Sequence, residues 1–306
     1  MNRRADSAEK KPIARLEPSA GGHGRFWAGF LIFILAFYLV AATAPAPGLT
    51  WDEAIYLGWA EAYIHRIQTG SFSRDNIREF WQYRVEPSRI PGAGSAAGKV
   101  ERSAMVFPRE DHPPVGLLAI AGFLAALGGL VDPIISARLS AAVCFALVCM
   151  LLYFFVRRRF GTAAALFAAF SLFLMPHVFA HAHFATMEMP VLLTWLLTVI
   201  AFEKGTRNAV WSVLAGVFFG LALLTRLNAV VLPFILVPWG AIFYRKRVLP
   251  NLVAMLVLAP LVFLAGWPAM WVDTLEVVRG YMFKMSHRFP IPCCYFGRIY
   301  FSPAVE

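Results

Sequence analysis

Five polar patches interrupt an otherwise apolar sequence, and each carries residue types able to do chemistry. Trp51-Asp52-Glu53 places two carboxylates side by side. Such a pair can act as a general base, bind a metal, or cap a helix, with Asp52 as N-cap and Glu53 in the first turn. Asp111-His112-Pro113-Pro114 joins an acid and an imidazole to two prolines, which forbid helix and otherwise describe an interfacial turn. Met187-Glu188-Met189-Pro190 isolates one acid at a helix start, where it serves either the helix dipole or a site. His181-x-His183 upstream of it has the residue types of a metal set, but two such side chains share a side only in a strand. Arg226 has no acidic neighbour in sequence, so it either snorkels to headgroups or faces an anion such as a phosphate. His287-Arg288 adds a further imidazole and cation near the C-terminal end.

The elements that must position these residues are membrane helices. The chain has 306 residues, 59% hydrophobic and only 15% charged, with 27 Phe and 9 Trp, and a mean hydropathy of +0.63. That is more apolar surface than one soluble core of this size hides, and it excludes disorder. A net charge of +10 raises the idea of a nucleic-acid partner. Half of the basic residues, however, lie in four short segments beside apolar runs: the N-terminal arm, Arg157–Arg159, Lys204 with Arg207, and Arg245–Arg247. This is the pattern of cytoplasmic loops, and no nucleic-acid partner is expected. Cys144 and Cys149 fall in an apolar run and Cys293-Cys294 are adjacent, so no disulfide framework or Cys-rich metal site is readable.

Apolar runs cover about 26–43, 114–131, 134–156, 160–178, 189–203, 209–224, 228–243 and 249–267. The run 114–131 contains Gly116, Gly122, Gly128 and Gly129, which weaken it as an independent helix. If it is re-entrant or lies along the surface, seven spans remain and every basic segment falls on one side. The expected organisation is then a cytoplasmic arm over 1–25 and a transmembrane module over 26–306. That module has a first outer loop over about 45–113, including a surface helix within 53–69, and an outer C-terminal segment over about 268–306. All five polar patches gather at the outer face, where ionisable groups at a bilayer mark a functional site.

Those residues resemble a known pattern. The Asp52-Glu53 pair follows the first span, a charged-Pro-Pro element precedes the second apolar segment, and Ala185-Thr186-Met187-Glu188-Met189-Pro190 forms an ATxxxP turn with a central acid. Gly220 to Arg226, then Gly266-Trp267-Pro268 with His287-Arg288 and Phe296-Gly297-Arg298-Ile299-Tyr300, complete the set in order. Together they resemble the protein O-mannosyltransferase and aminoarabinose-transferase-like membrane glycosyltransferases. The fold this implies is an all-α integral membrane protein, a multi-span GT-C-type helical bundle with a large extracytoplasmic first loop.

The activity implied is inverting transfer of a sugar from a polyprenyl-phosphate donor to an acceptor hydroxyl or phosphate on a lipid, glycan or protein. The implied location is the outer face of a bacterial plasma membrane. By resemblance Asp52 is the catalytic base, with Glu53 and Glu188 as the other catalytic acids. Arg226 holds the donor phosphate with His112 and Arg288. Some relatives use a divalent metal and others none, and Asp111 and His287 are the candidate ligands. The sequence departs from the family pattern in Glu for Asp at 188 and in His for Lys at 112, and it reads as ending before further family spans. An inactive scaffold of the same fold and a lipid or sugar transporter are the alternatives. A transporter would place its charges near the midplane rather than gathering them at one face.

Overall fold

The computed structural model describes residues 22–70, residues 112–279 apart from 269, 272, 273 and 276, and the short segments 292–295 and 298–301. The N-terminal arm, Asp111, His287 and Arg288 lie outside the described residues. Nine α-helices carry the described chain: α1 Gly22–Thr43, α2 Trp51–Thr69, α3 Pro114–Leu127, α4 Pro133–Leu174, α5 Pro176–His181, α6 Glu188–Gly205, α7 Ala209–Thr225, α8 Leu232–Phe243 and α9 Leu249–Gly266. The fold is the expected all-α bundle, and the described residues add one short two-stranded antiparallel hairpin, β1 Pro292–Tyr295 with β2 Arg298–Phe301.

Three stretches are long and apolar enough to cross a membrane: Phe26–Thr43, Pro133–Leu174 and Arg245–Gly266. The second is two limbs. Gly161 has φ 83°, a left-handed conformation that breaks the helix and turns the chain back on itself. Phe145 and Phe173, on opposite sides of that break, consequently meet edge to face with ring centroids 5.1 Å apart. The two limbs supply the runs expected over 134–156 and 160–178. The second limb ends at Leu174 because Met175 precedes Pro176 and is extended.

Helix α3 occupies most of the doubtful run 114–131. At 14 residues it is about 21 Å long, short of the roughly 30 Å hydrocarbon core. It packs against α2. The contacting stripe of α2 is Glu53, Tyr56, Ala60, Tyr63 and Arg66, all buried, which is regular helical spacing. Ile67 lies off this stripe and is 56% exposed. Leu117, Ile120, Ala121 and Leu124 of α3 receive the apolar members of the stripe, together with Ala137, Ala185 and Met187.

The other half of the bundle is α6 to α9. Gly216 and Gly220 of α7 form a GxxxG step against α9. A Cβ on Gly216 would meet the Ala254 carbonyl oxygen at 2.5 Å, and one on Gly220 would meet the Ala259 carbonyl oxygen at 3.0 Å. Only glycine allows this backbone approach, which seats α7 and so places the residue at its C-terminal end, Arg226. At the opposite end of the bundle Arg159 lies 2.6 Å and Arg207 4.0 Å from the Glu203 carboxylate. Two of the basic segments thus share one end, away from the polar turns described next.

Candidate functional site

The α1–α2 linker, the N-terminal ends of α2, α3 and α4, the turn before α6 and the C-terminal end of α7 form one end of the bundle. The N-cap of α2 is Thr50, not Asp52. Its hydroxyl accepts from the Glu53 backbone N–H, and the Glu53 carboxylate accepts from the Thr50 backbone N–H at 3.0 Å, a reciprocal capping box. This corrects the reading of Asp52 as the cap. Asp52 instead carries an exposed carboxylate on the first turn.

Glu53 is fully buried, and its carboxylate is fully engaged. Oε1 accepts from Arg138 Nε at 2.8 Å and from the Ala185 backbone N–H at 2.9 Å, and Oε2 from Arg138 Nη2 at 2.9 Å. Burial alone would raise its pKa. The Arg138 fork and the Thr50 and Ala185 donors outweigh that and hold the pKa below the ordinary carboxylate value.

Arg138 was missed in the sequence, where it looks like a lone cation near a helix start. It is 2% exposed and spends all five of its N–H donors. Besides Glu53, it bonds the carbonyls of Ala44, Pro47 and Gly48 at 2.7 to 2.8 Å. Its guanidinium also lies 5.8 Å from the Phe184 ring centroid. One side chain therefore ties the linker that carries Asp52 to the turn that leads to Glu188.

Glu188 starts α6, and its Oε1 accepts from Arg226 Nη1 at 2.7 Å. The two residues were singled out separately, 38 positions apart; Arg226's anion within the chain is Glu188. His181 Nδ1 stands 4.0 Å from Glu188 Oε2, and the His181 ring packs against His177 with centroids 4.5 Å apart. His183 turns elsewhere. Its Nδ1–H donates to the Phe179 carbonyl at 2.7 Å, and its Nε2 lies 2.7 Å from the Thr43 hydroxyl. The His181-x-His183 pair thus does not converge. Among the described residues no three His, Cys, Asp or Glu side chains group as a metal set.

Tyr56 is the residue that links the two halves of the site. It is 7% exposed, and the charges of Asp52, Glu188 and Arg226 all act on its phenol. Burial, then the two carboxylates, raise its pKa well above the ordinary value, so it remains a proton donor at neutral pH. The His112 ring lies edge-on to Tyr56 with centroids 5.6 Å apart, and 6.0 Å from Trp59. Trp267 closes the neighbouring wall. It is buried with Leu224, one of the last residues of α7, and Val115 of α3 packs on the same cluster.

Such a bundle, with its polar groups collected at one end of apolar helices, is that of an integral membrane protein, and two comparisons place it in the GT-C class. The architecture is similar to that of ArnT from Cupriavidus metallidurans, solved bound to undecaprenyl phosphate, with a TM-score of 0.56 at 18% identity. That likeness, which shows the fold, covers 86% of this chain and 45% of ArnT, so the chain spans less than half of that protein's length. A search of curated proteins returns no match. Residues 111–271, more than half of the chain, match the family model described as dolichyl-phosphate-mannose-protein mannosyltransferase, and the chain belongs to that family.

Proposed function

We propose that the protein transfers a sugar from a polyprenyl-phosphate donor to an acceptor hydroxyl, with inversion, at the outer face of a bacterial plasma membrane. The observation that carries this reading is the Arg226–Glu188 pair at 2.7 Å, at the same end of the bundle as the exposed Asp52 carboxylate. Family membership and the undecaprenyl phosphate in the ArnT structure support the donor class.

The chemistry has two demands. The acceptor oxygen attacks the anomeric carbon while its proton passes to a carboxylate, and Asp52 takes it. The bond between the anomeric carbon and the phosphate oxygen breaks, and the departing polyprenyl phosphate gathers negative charge. A cation fixed in place stabilises that charge best, and Glu188 fixes Arg226. His112, whose ring meets Tyr56, is the second donor in this reading. Arg288, and Asp111 with His287 as candidate ligands for a divalent ion, lie outside the described residues. Glu53 is retained as a member of the site in a positioning role, because all its acceptor capacity faces protein donors.

The test is direct binding of undecaprenyl phosphate to the full chain in nanodiscs. Arg226→Ala should weaken it roughly 10–100-fold, the value of one or two charge-assisted hydrogen bonds. Arg226→Lys should keep part of the affinity, since a point charge replaces a fork. Unchanged affinity in the Ala variant makes Arg226 a headgroup anchor and removes the phosphate from this site.

A further inference from the structure

At the end of the bundle away from Asp52, four cations meet around one acid. Arg158 and Arg159 stand just before the Gly161 break in α4, Lys204 in the last turn of α6, and Arg207 in the turn to α7. Among the described residues Glu203 is the one acid at this end. Its carboxylate lies 2.6 Å from Arg159 and 4.0 Å from Arg207, so a single negative charge is divided between two guanidinium groups. Lys204 takes another partner. Its Nζ stands 3.8 Å from the centroid of the Trp211 ring, in the first turn of α7, a cation–π contact. The charge of Arg158 also weighs on Lys204, ahead of that of Glu203. Four cations less one acid leave a surplus of three positive charges, and the fold holds two of the side chains, Arg159 and Lys204, in place.

The neighbours say what kind of anion fits. Phe160, next to Arg159, is 69% exposed, and Val210, next to Trp211, is 65% exposed, with Val213 exposed one turn further along α7. Fixed cations beside bare apolar side chains suit an amphipathic anion, with its phosphate on the cations and its acyl chains along the helices. A soluble anion leaves those apolar groups uncovered. The indole agrees with a lipid, because Trp rings settle at the level of the headgroups. A second basic group provides a contrast. Arg245, Lys246 and Arg247 lie at the same end, since Asn251 in the first turn of α9 bonds the Phe202 carbonyl of α6 at 2.7 Å. They are exposed, and none of them is held by an acid or a ring among the described residues. We propose that Arg158, Arg159, Lys204 and Arg207, with Trp211, form a site for the headgroup phosphate of an anionic phospholipid. This site is separate from the transferase reading and stands without it.

The experiment measures binding of phosphatidylglycerol, cardiolipin and phosphatidylcholine to the full chain in detergent micelles, at about 0.15 M salt so that distant charges are screened. The wild type should bind the two anionic lipids roughly 10-fold or more tightly than phosphatidylcholine. Arg158→Gln and Lys204→Gln should each weaken the anionic lipids roughly 5-fold, the value of one cation near a lipid surface. Both should leave phosphatidylcholine binding unchanged, which also shows that they are folded, and the exposed Arg158 decides if Lys204→Gln does not fold. Lys204→Arg should retain the preference, and Trp211→Leu, which keeps every charge, should lose part of it. The paired variant Arg245→Gln, Lys246→Gln should cost less than either single change although it removes two charges. Equal affinity of the wild type for anionic and neutral lipids overturns the site. So does an equal loss in the paired variant, which makes the preference a property of the whole charged end, or displacement of the lipid by inorganic phosphate, which makes it a site for a soluble anion.

Discussion

Replacing Arg138 by leucine should destabilise the fold severely while leaving every other side chain of the site in the sequence. The variant strands the Glu53 carboxylate, fully buried, with only the Thr50 and Ala185 donors. It also frees three linker carbonyls that Arg138 bonds at 2.7 to 2.8 Å. Those carbonyls lie on a linker whose Gly48 is exposed, so water replaces part of that loss. The stranded charge dominates, and breaking a buried pair from one side costs about 3–5 kcal/mol. The double variant Glu53→Leu, Arg138→Leu removes both charges and should recover part of that loss.

Unfolding in mixed micelles, followed by tryptophan fluorescence, measures both variants. The pH dependence supplies an independent check. Glu53's folded pKa is depressed, so its contribution is complete above the ordinary value of 4.5 and is lost as pH falls through the folded pKa. Wild-type stability should therefore decline on acidification below that value, and Glu53→Gln should remove this component of the slope. An Arg138→Leu protein within 1 kcal/mol of wild type, on the scale of an exposed pair, would refute the claim that this network holds the site together.

Asp52→Asn should lower turnover about 10²–10⁴-fold with stability and lipid binding retained, because a general base is lost while the helix keeps its Thr50 cap. Wild-type turnover in that variant would move the base to another carboxylate. Cysteine labelling in a Cys-free background should reach position 52 from outside and position 158 only from the cytoplasm, and the reverse at 158 would overturn the proposed sidedness.

The sequence showed most helices directly, since apolar runs bounded by Pro, Gly or basic residues leave little choice of element. Its errors have local causes. Thr50-x-x-Glu53 is a capping-box signature, yet the more conspicuous Asp52 drew the cap assignment. The four glycines of 114–131 did not prevent a helix there, and the partner of α3 was not readable, because the inward stripe of α2 includes Glu53 and Arg66 and so does not look apolar. Glu188 and Arg226 were each identified as unusual, and their pairing required knowing that α6 and α7 pack side by side. Arg138 left no trace. Its partners are backbone carbonyls and a carboxylate 85 residues earlier in the chain, and no spacing rule reaches that far.

The Arg138 hub also bears on how the protein is made. A chain synthesised from its N-terminus delivers Glu53 and the linker carbonyls first, then Arg138 in the second turn of α4, and Ala185 only after the chain has doubled back at Gly161. Until then Arg138 is an unpaired cation near the end of an apolar helix, an expensive group at the edge of a bilayer. Having Glu53 already waiting at the membrane surface offsets that cost during insertion. The last hydrogen bond, from Ala185, closes when the second limb of α4 has been placed, so the polar end of the molecule is completed only once the chain has doubled back.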